Sequence, residues 1–381
     1  MKTGRMVQKY FLSASASSPC RGKDQGERRQ EAFALLIVLV LIAILVTAVA
    51  GFVFSTRIEM QLASNADEES ELRWLGISAV ELSKYVLAES LRTPAGRHTS
   101  LNQIWAGGPG EPTETNGPLG SIRLQNVPCG GGQFSIRLID LERFANINRA
   151  DPILLQKAFE LLGTDVRTTS VAVDSILDWL DPDDNPRMNG AESDYYESLP
   201  HPYMAKNGPI DDIGELTLIQ GITPELVWGT TRPVEATSPG SLPYDPFAPD
   251  QPHSLGLADL FTCTSSGLIN INTASVSVLQ LLPGMDEASA RLIVETRAGP
   301  DGIDGTEDDT PFTSQAMLNP AVIPGLPPPE VIRAWLPFIT VQSRTFEMIA
   351  EVTLGRVHRR YHAILVRLNP LTVEVTSFWW D

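Results

Sequence analysis

Phe33 to Phe54 reads FALLIVLVLIAILVTAVAGFVF, 22 residues without a charge. A helix of that length, at about 1.5 Å per residue, crosses a hydrocarbon core of roughly 30 Å. Lipid offers the backbone no hydrogen-bond partners, so an open run of this kind is forced into a helix. Ahead of it stand Lys2, Arg5, Lys9, Arg21, Lys23, Arg28 and Arg29 against Asp24, Glu27 and Glu31. That basic excess keeps the N-terminal side cytoplasmic and sends the rest across, a single-pass topology. A secretory signal peptide is the competing reading, but its apolar core is usually about 7 to 15 residues and ends at a small-residue cleavage site. Here the run is longer and helical periodicity follows it: Leu72, Leu75, Ala79, Leu82 and Val86 fall at steps of three and four until Pro94 and Gly96. One helix from Phe33 to Leu91, apolar at its start and amphipathic at its end, is expected.

The 381 residues carry 29 Lys and Arg against 46 Asp and Glu, a formal charge of -17. Such a chain repels nucleic-acid phosphates and anionic surfaces unless its basic residues cluster. The 29 Gly and 29 Pro predict many turns.

The leader supplies a family. Arg28-Arg29-Gln30-Glu31-Ala32 followed by Phe33-Ala34-Leu35-Leu36 resembles the processing site of type IV prepilin-like proteins. The resemblance implies cleavage by prepilin peptidase between Ala32 and Phe33 on the cytoplasmic side, with the apolar helix kept in the mature chain. Two positions depart from the family pattern: Ala32 stands where Gly is usual, and Ile37 stands at the fifth mature position where Glu is usual. A carboxylate in hydrocarbon is costly unless paired, and within this family the K-type minor pseudopilins of type II secretion characteristically lack it.

Beyond Pro94, Ser121–Val127 and Gln133–Leu141 alternate apolar and polar residues around Pro128-Cys129-Gly130-Gly131-Gly132 and read as a strand hairpin. Strand composition resumes at Phe338–Leu354, Val357–Leu368 and Leu371–Trp379, broken at Gly355-Arg356 and Asn369-Pro370. The stretch between reads helical. The expected fold class is α+β: a long transmembrane and amphipathic N-terminal helix, a small antiparallel sheet, and an inserted all-α domain of helix-hairpin-helix-like (SAM-like) units, the layout that the resemblance also implies. The expected boundaries are a cleaved leader 1–32, helix 33–92, first part of the sheet domain 93–143, inserted helical domain 144–336 and closing strands 337–381.

Within the insertion, Asn146-Ile147-Asn148-Arg149-Ala150 and Asn270-Ile271-Asn272-Thr273-Ala274 form a weak repeat, each ahead of an apolar-periodic helix that its Asn or Thr can cap. A third unit has Thr223 as cap and Pro224 in the first helical position. The second repeat runs on through Leu282-Pro283-Gly284-Met285-Asp286-Glu287 and resembles the helix-hairpin-helix of DNA-binding proteins. In such hairpins turn amides and nearby cations hold a phosphate. The Pro283-Gly284-Met285 turn instead precedes two carboxylates, which favours a packing hairpin and no nucleic acid.

Two acidic loops invite a hard cation. Asp178-Trp179-Leu180-Asp181-Pro182-Asp183-Asp184-Asn185 leads to Gly190-Ala191-Glu192 and Asp194. Oxygen ligands on a flexible loop suit calcium, although the same run reads equally as solvated turn chemistry and its spacing is not that of an EF-hand. The family resemblance implies calcium here, with Asp181, Asp183, Asp184, Glu192 and Asp194 as candidate ligands. The second run, Asp301-Gly302-Ile303-Asp304-Gly305-Thr306-Glu307-Asp308-Asp309, alternates Asp and Gly like extracellular calcium loops and offers Asp301, Asp304, Asp308 and Asp309. Cysteine is sparse: Cys20 leaves with the leader, and Cys129 and Cys263 either form one disulfide in an oxidising periplasm or stay as two buried thiols.

Catalytic motifs are missing: the chain has no HExxH, GxSxG or GxxxxGK[ST], and its five His are scattered. Three readings remain. One is a minor pseudopilin at the pseudopilus tip, in the inner membrane with its C-terminal bulk periplasmic. The resemblance gives it other minor pseudopilins (I and J type), the major pseudopilin and prepilin peptidase as partners, and export across the outer membrane as its process. The second is a membrane-anchored helix-hairpin-helix DNA receptor for competence, and the third a tethered enzyme with no motif in its favour.

Overall fold

The structure, a computed structural model, describes residues 25–230 and 254–381. Residues 1–24, Cys20 among them, lie outside the described residues. The chain divides into two units, Met1–Glu69 and Ser70–Asp381.

Helix α1 runs Gln25–Ser90, beginning ahead of Phe33. From Phe33 to Phe54 it is apolar and exposed, with Phe33 at 65 % and Leu45 at 66 %. An 18-residue window there has mean hydropathy 3.3 and no buried share, so the length and composition suffice to cross a membrane. Its hydroxyls turn inward: Thr47 Oγ1 donates to the carbonyls of Ala43 and Ile44, and Thr56 Oγ1 to that of Phe52. Bonds of this kind satisfy a hydroxyl without water.

The second unit is ordered along the chain as the C-terminal part of α1, α2 (Pro112–Thr115), β1 (Val127–Cys129), β2 (Gly132–Asp140), β3 (Ala145–Asn146), α3 (Pro152–Leu161), α4 (Val166–Leu180), α5 (Ser193–Glu197), α6 (Pro224–Trp228), β4 (Phe261–Thr262), β5 (Ile269–Asn270), α7 (Val276–Leu279), α8 (Glu287–Arg297), α9 (Pro329–Trp335), β6 (Ile339–Thr340), β7 (Thr345–Leu354), β8 (Val357–Asn369) and β9 (Thr372–Trp380). Five strands form an antiparallel sheet in the order β1-β2-β7-β8-β9. The period-2 pattern that predicted β2 places Phe134, Ile136 and Leu138 on the face covered by Leu72, Leu75, Ala79, Val86 and Leu87 of α1. Gly76 is required at this contact, since a Cβ there would come within 2.8 Å of the Tyr361 ring.

Two expected strands are shorter than the sequence pattern. Ser121–Val127 contributes only Val127, because Pro118–Ser121 closes a 3-10 turn and Asn126 takes φ 52°. The Leu124 carbonyl still accepts from Ile136 N at 2.6 Å, so the segment lies beside β2 without building a ladder. Phe338–Leu354 is interrupted: β6 leaves the sheet to pair in parallel with β5 before β7 begins.

Between β2 and β7 lies the helical region, with a core of its own that includes Leu155, Phe159, Ile176, Trp179, Tyr196, Leu279, Ile293 and Trp335. It is not purely helical. Each copy of the Asn-Ile-Asn repeat begins as a two-residue parallel pairing, Ala145-Asn146 with Phe261-Thr262 and Ile269-Asn270 with Ile339-Thr340. The leading Asn turns the chain by accepting from the backbone two residues on, Asn148 N and Asn272 N. The second Asn bridges to a distant backbone: Asn148 pairs with Ile210 N and O, Asn272 with Phe312 N and O. The helices that follow are capped by Asp151 and Ser275, just beyond each repeat, and not by its Asn or Thr.

A buried polar joint lies where this region meets the sheet. Asp140 Oδ2 accepts from Asn270 Nδ2, Thr273 Oγ1 and Ser343 Oγ at 3.0, 2.6 and 2.7 Å. Arg367 donates to Ser90, Thr99 and the Ser343 carbonyl. Buried polar groups of this density are tolerable because each finds partners.

Candidate functional site

Helix α4 ends at Leu180 and delivers its last turn into the first acidic loop. Its apolar residues at helical spacing, Ala172, Val173, Ile176 and Trp179, are buried. Trp179 stands edge-on to Tyr196 at 5.2 Å, and Tyr196 stacks on Tyr203 at 5.2 Å. This aromatic floor holds the two ends of the loop at a fixed spacing.

Above it, one ligand atom each from Asp181, Asp183 and Glu192 lies within 4.8 Å of the others. Two oxygens that share a calcium ion, each about 2.4 Å from it, sit at most about 4.8 Å apart. Glu192 is 3 % exposed and neither of its carboxylate oxygens has a partner, and Asp181 Oδ1 is likewise buried and bare. Burial, reinforced by the charges of Asp178, Asp181, Asp184 and Asp183, pushes the Glu192 carboxyl up to about 7. Unsatisfied buried oxygens converging on one point are costly unless a cation meets them, so the donor set fits a hard divalent ion such as calcium.

The other candidates on this loop serve its frame. Asp184 Oδ1 accepts from Ser193 Oγ and Asn207 Nδ2, both at 3.0 Å, and Asp194 lies exposed in the first turn of α5. Asn207, at φ 48°, also donates to the Asp183 carbonyl. Asp174 Oδ2 receives the backbone and side-chain amides of Asn189. Asp178, fully buried, receives Arg187. Sequence reading overlooked Arg187 and Asn207. A lone cation inside an acidic run, and an Asn able to adopt a left-handed backbone, were the available signals.

The second loop departs from expectation. Its four candidates are not gathered, because each is turned onto a donor of its own. Asp304 forms a two-point pair with Arg297 at 2.9 and 2.7 Å, and Arg297, 4 % exposed, also donates to the Ile271 and Ala274 carbonyls. Asp301 Oδ1 accepts from Ile303 N, Asp308 from Asp301 N and Thr306 Oγ1, and Asp309 from Gly305 N and Thr306 N. The Thr306 hydroxyl and the Asp301 amide hold the Asp308 carboxyl below its ordinary value. Among the described residues the one gathered triad of possible metal ligands is that of Asp181, Asp183 and Glu192.

The disulfide alternative is overturned: Cys129 and Cys263 are both free. They pack on different hydrophobic cores, Cys129 on the sheet side and Cys263 on the helical side. Burial, with Asp212, Glu215 and Asp211 nearby, pushes the Cys263 thiol up to about 12.

The hairpin turn is a packing element. Gly284 takes φ 69°, Met285 is buried, and the Pro283 carbonyl accepts from Trp335 Nε1 at 2.9 Å. The exposed start of α8 is already capped by Asp286, which accepts from Ser289 N. Ile37 lies on the exposed apolar part of α1, and Ala32 and Phe33 fall inside that helix.

With the geometry in place, comparison with known proteins is informative. Residues 137–235 match the family model described as type II secretion system (T2SS), protein K. The chain is similar to type II secretion system protein K. It is 24 % identical over 343 residues to the protein K of Pseudomonas aeruginosa, covering 86 % of each chain. It is 28 % identical over 213 residues to that of Pectobacterium carotovorum, covering 52 % of this chain and 60 % of the relative, and the matched part thus spans less than two thirds of that protein. Among solved structures, the crystal structure of the GspK-GspI-GspJ complex from enterotoxigenic Escherichia coli matches with TM-score 0.59 and 17 % identity, over 84 % of this chain and 99 % of that one. At that identity the match shows the fold alone, a long N-terminal helix with an antiparallel sheet and helical content.

Proposed function

We propose that the chain acts as a K-type minor pseudopilin at the tip of a type II secretion pseudopilus, joining I- and J-type minor pseudopilins to initiate or cap the filament. The observation that carries this reading is the division of labour along α1: an exposed apolar part, and a part from Leu72 onward whose apolar stripe is buried under the sheet. A helix of this kind is held in lipid before assembly and packs on neighbouring helices after extraction. Residues 144–336 form the head in this reading, a bulk that prevents another subunit from stacking above. The inner membrane as location, a periplasmic C-terminal domain, processing between Ala32 and Phe33, and the major pseudopilin as neighbour belong to the same proposal. So does calcium at Asp181, Asp183 and Glu192, where the ion supplies charge neutralisation that draws the loop ends together.

Mass spectrometry of the membrane-extracted chain from cells with and without prepilin peptidase tests the reading. A mature start at Phe33 that depends on the peptidase is expected; an uncut chain in both strains would refute it. A competence DNA receptor gains nothing from the structure, because the exposed start of α8 behind the hairpin turn carries the carboxylates of Asp286 and Glu287 where a phosphate would sit.

A further inference from the structure

Arg187 sits in the acidic loop with a side chain 38 % exposed, and one of its atoms makes the connection on which the site depends. Nη1 donates to Asp178 Oδ1 and to Asp181 Oδ2, each at 2.6 Å. The Arg187 backbone amide donates to the same Asp178 carboxylate, with Oδ2 at 3.0 Å. On the far side, Gly190 lies so close that a Cβ there would overlap Asp178 Oδ2. Asp178 is therefore filled by the loop and has no room for an ion. Asp181 is divided: Oδ2 is held by the guanidinium, while Oδ1 is buried without a partner, as are both oxygens of Glu192.

We propose that Arg187 is the positioning residue of the cation site. It locks the loop onto α4 through Asp178 and rotates Asp181 so that its free oxygen faces Asp183 and Glu192, before any ion arrives. The inference rests on the calcium reading of the same triad. Ligating carboxylates elsewhere are oriented by a second hydrogen bond, and losing that partner weakens metal affinity by about 10- to 100-fold. Coulomb's law alone gives the opposite sign, since a positive charge a few ångströms from the ion opposes binding and its removal should tighten it. The two accounts are thus separated by direction.

The test is calcium titration calorimetry on the full chain in detergent, comparing the wild type with Arg187→Met and Arg187→Lys, with the rise in melting temperature on adding calcium as a second readout. Positioning predicts an affinity loss of about 10-fold or more in Arg187→Met, and a smaller loss in Arg187→Lys, which keeps the charge without the planar fork. An affinity in Arg187→Met equal to or above the wild type overturns the proposal and leaves the calcium site standing. Should Arg187→Met not fold, the lysine variant decides: unchanged affinity there overturns it. A wild type that takes up no calcium overturns both this inference and the site reading beneath it.

Discussion

The two acidic loops are both crowded with carboxylates and reach opposite solutions to the same electrostatic problem. In 301–309 every candidate carboxylate found a donor within the chain, a backbone amide, a threonine hydroxyl or the Arg297 guanidinium. In 181–192 the Asp184 carboxylate is absorbed in the same way by Asn207 and Ser193, but Asp181 and Glu192 each keep buried oxygens with nothing to accept from. Local donor supply, and not charge density, decides whether an acidic loop satisfies its own oxygens or leaves some of them bare. Gly and Asp alternating along 301–309 place amides beside carboxylates; the prolines at 182 and 186 remove amides from 181–192.

The contrast can be broken most forcefully at Asp304. Asp304→Ala strips a buried guanidinium of its partner, and breaking a buried pair costs about 3 to 5 kcal/mol; urea unfolding should show a loss of that order, and a loss below about 1 kcal/mol would mean that the second loop is not self-supporting. Next in size is calcium itself. At 100-fold excess over its dissociation constant it should stabilise the wild type by about 2.7 kcal/mol, with Glu192→Gln abolishing the effect and Asp309→Asn leaving it intact. If Asp309→Asn abolishes it instead, the assignment of the two loops is reversed. In chelator, Glu192→Gln should raise stability by about 1 kcal/mol, because an amide can donate to Asp181 or Asp183 where a carboxylate only repels them; a drop would argue against crowding in the triad.

Acid sharpens the same comparison through sign. The Glu192 carboxyl is raised in the folded chain, so without a cation its ionisation costs stability progressively as pH climbs from about 4.5 to about 7. The Asp308 carboxyl is lowered, so its contribution is present above its ordinary value near 3.8 and is lost as pH falls below it. Melting temperatures from pH 3 to 8, taken as wild type minus Glu192→Gln and wild type minus Asp308→Asn, should therefore run in opposite directions, the first difference growing more negative toward neutral pH. Parallel curves would show that the two loops titrate alike.

Much of this was legible before any coordinates. A charge-free run of 22 residues and a three-four apolar stripe leave one conformation open, and α1 follows. Strands β7 and β8 stop at the Gly355 and Asn369-Pro370 signals because a turn is decided by neighbouring residues. What escaped was set by distant partners. Val341 accepts from Thr99 N, and Ser343 both donates to Asp140 and accepts from Arg367, so an apparently continuous strand is broken by groups remote in sequence. The same holds for the acidic runs: composition found both loops, but only the placement of Arg297 and Arg187 separates them.

The joint at Asp140 carries a consequence for the order of events in the life of the chain. Its partner Ser343 is 203 residues away, and β2 lies directly against β7 in the sheet. Closing so long a connection is not prohibitive, because each doubling of loop length adds only about 0.6 kcal/mol, yet it fixes a timetable. While the chain emerges, β1, β2 and the amphipathic end of α1 have nothing to cover them, whereas the helical region completes its own core and β7, β8 and β9 form a local meander. The sheet that shelters α1 is therefore assembled last, after nearly the whole polypeptide has been made. A ribosome that stalls before Thr345 would leave behind a half-built chain with an exposed strand edge, a ready template for pairing with another chain.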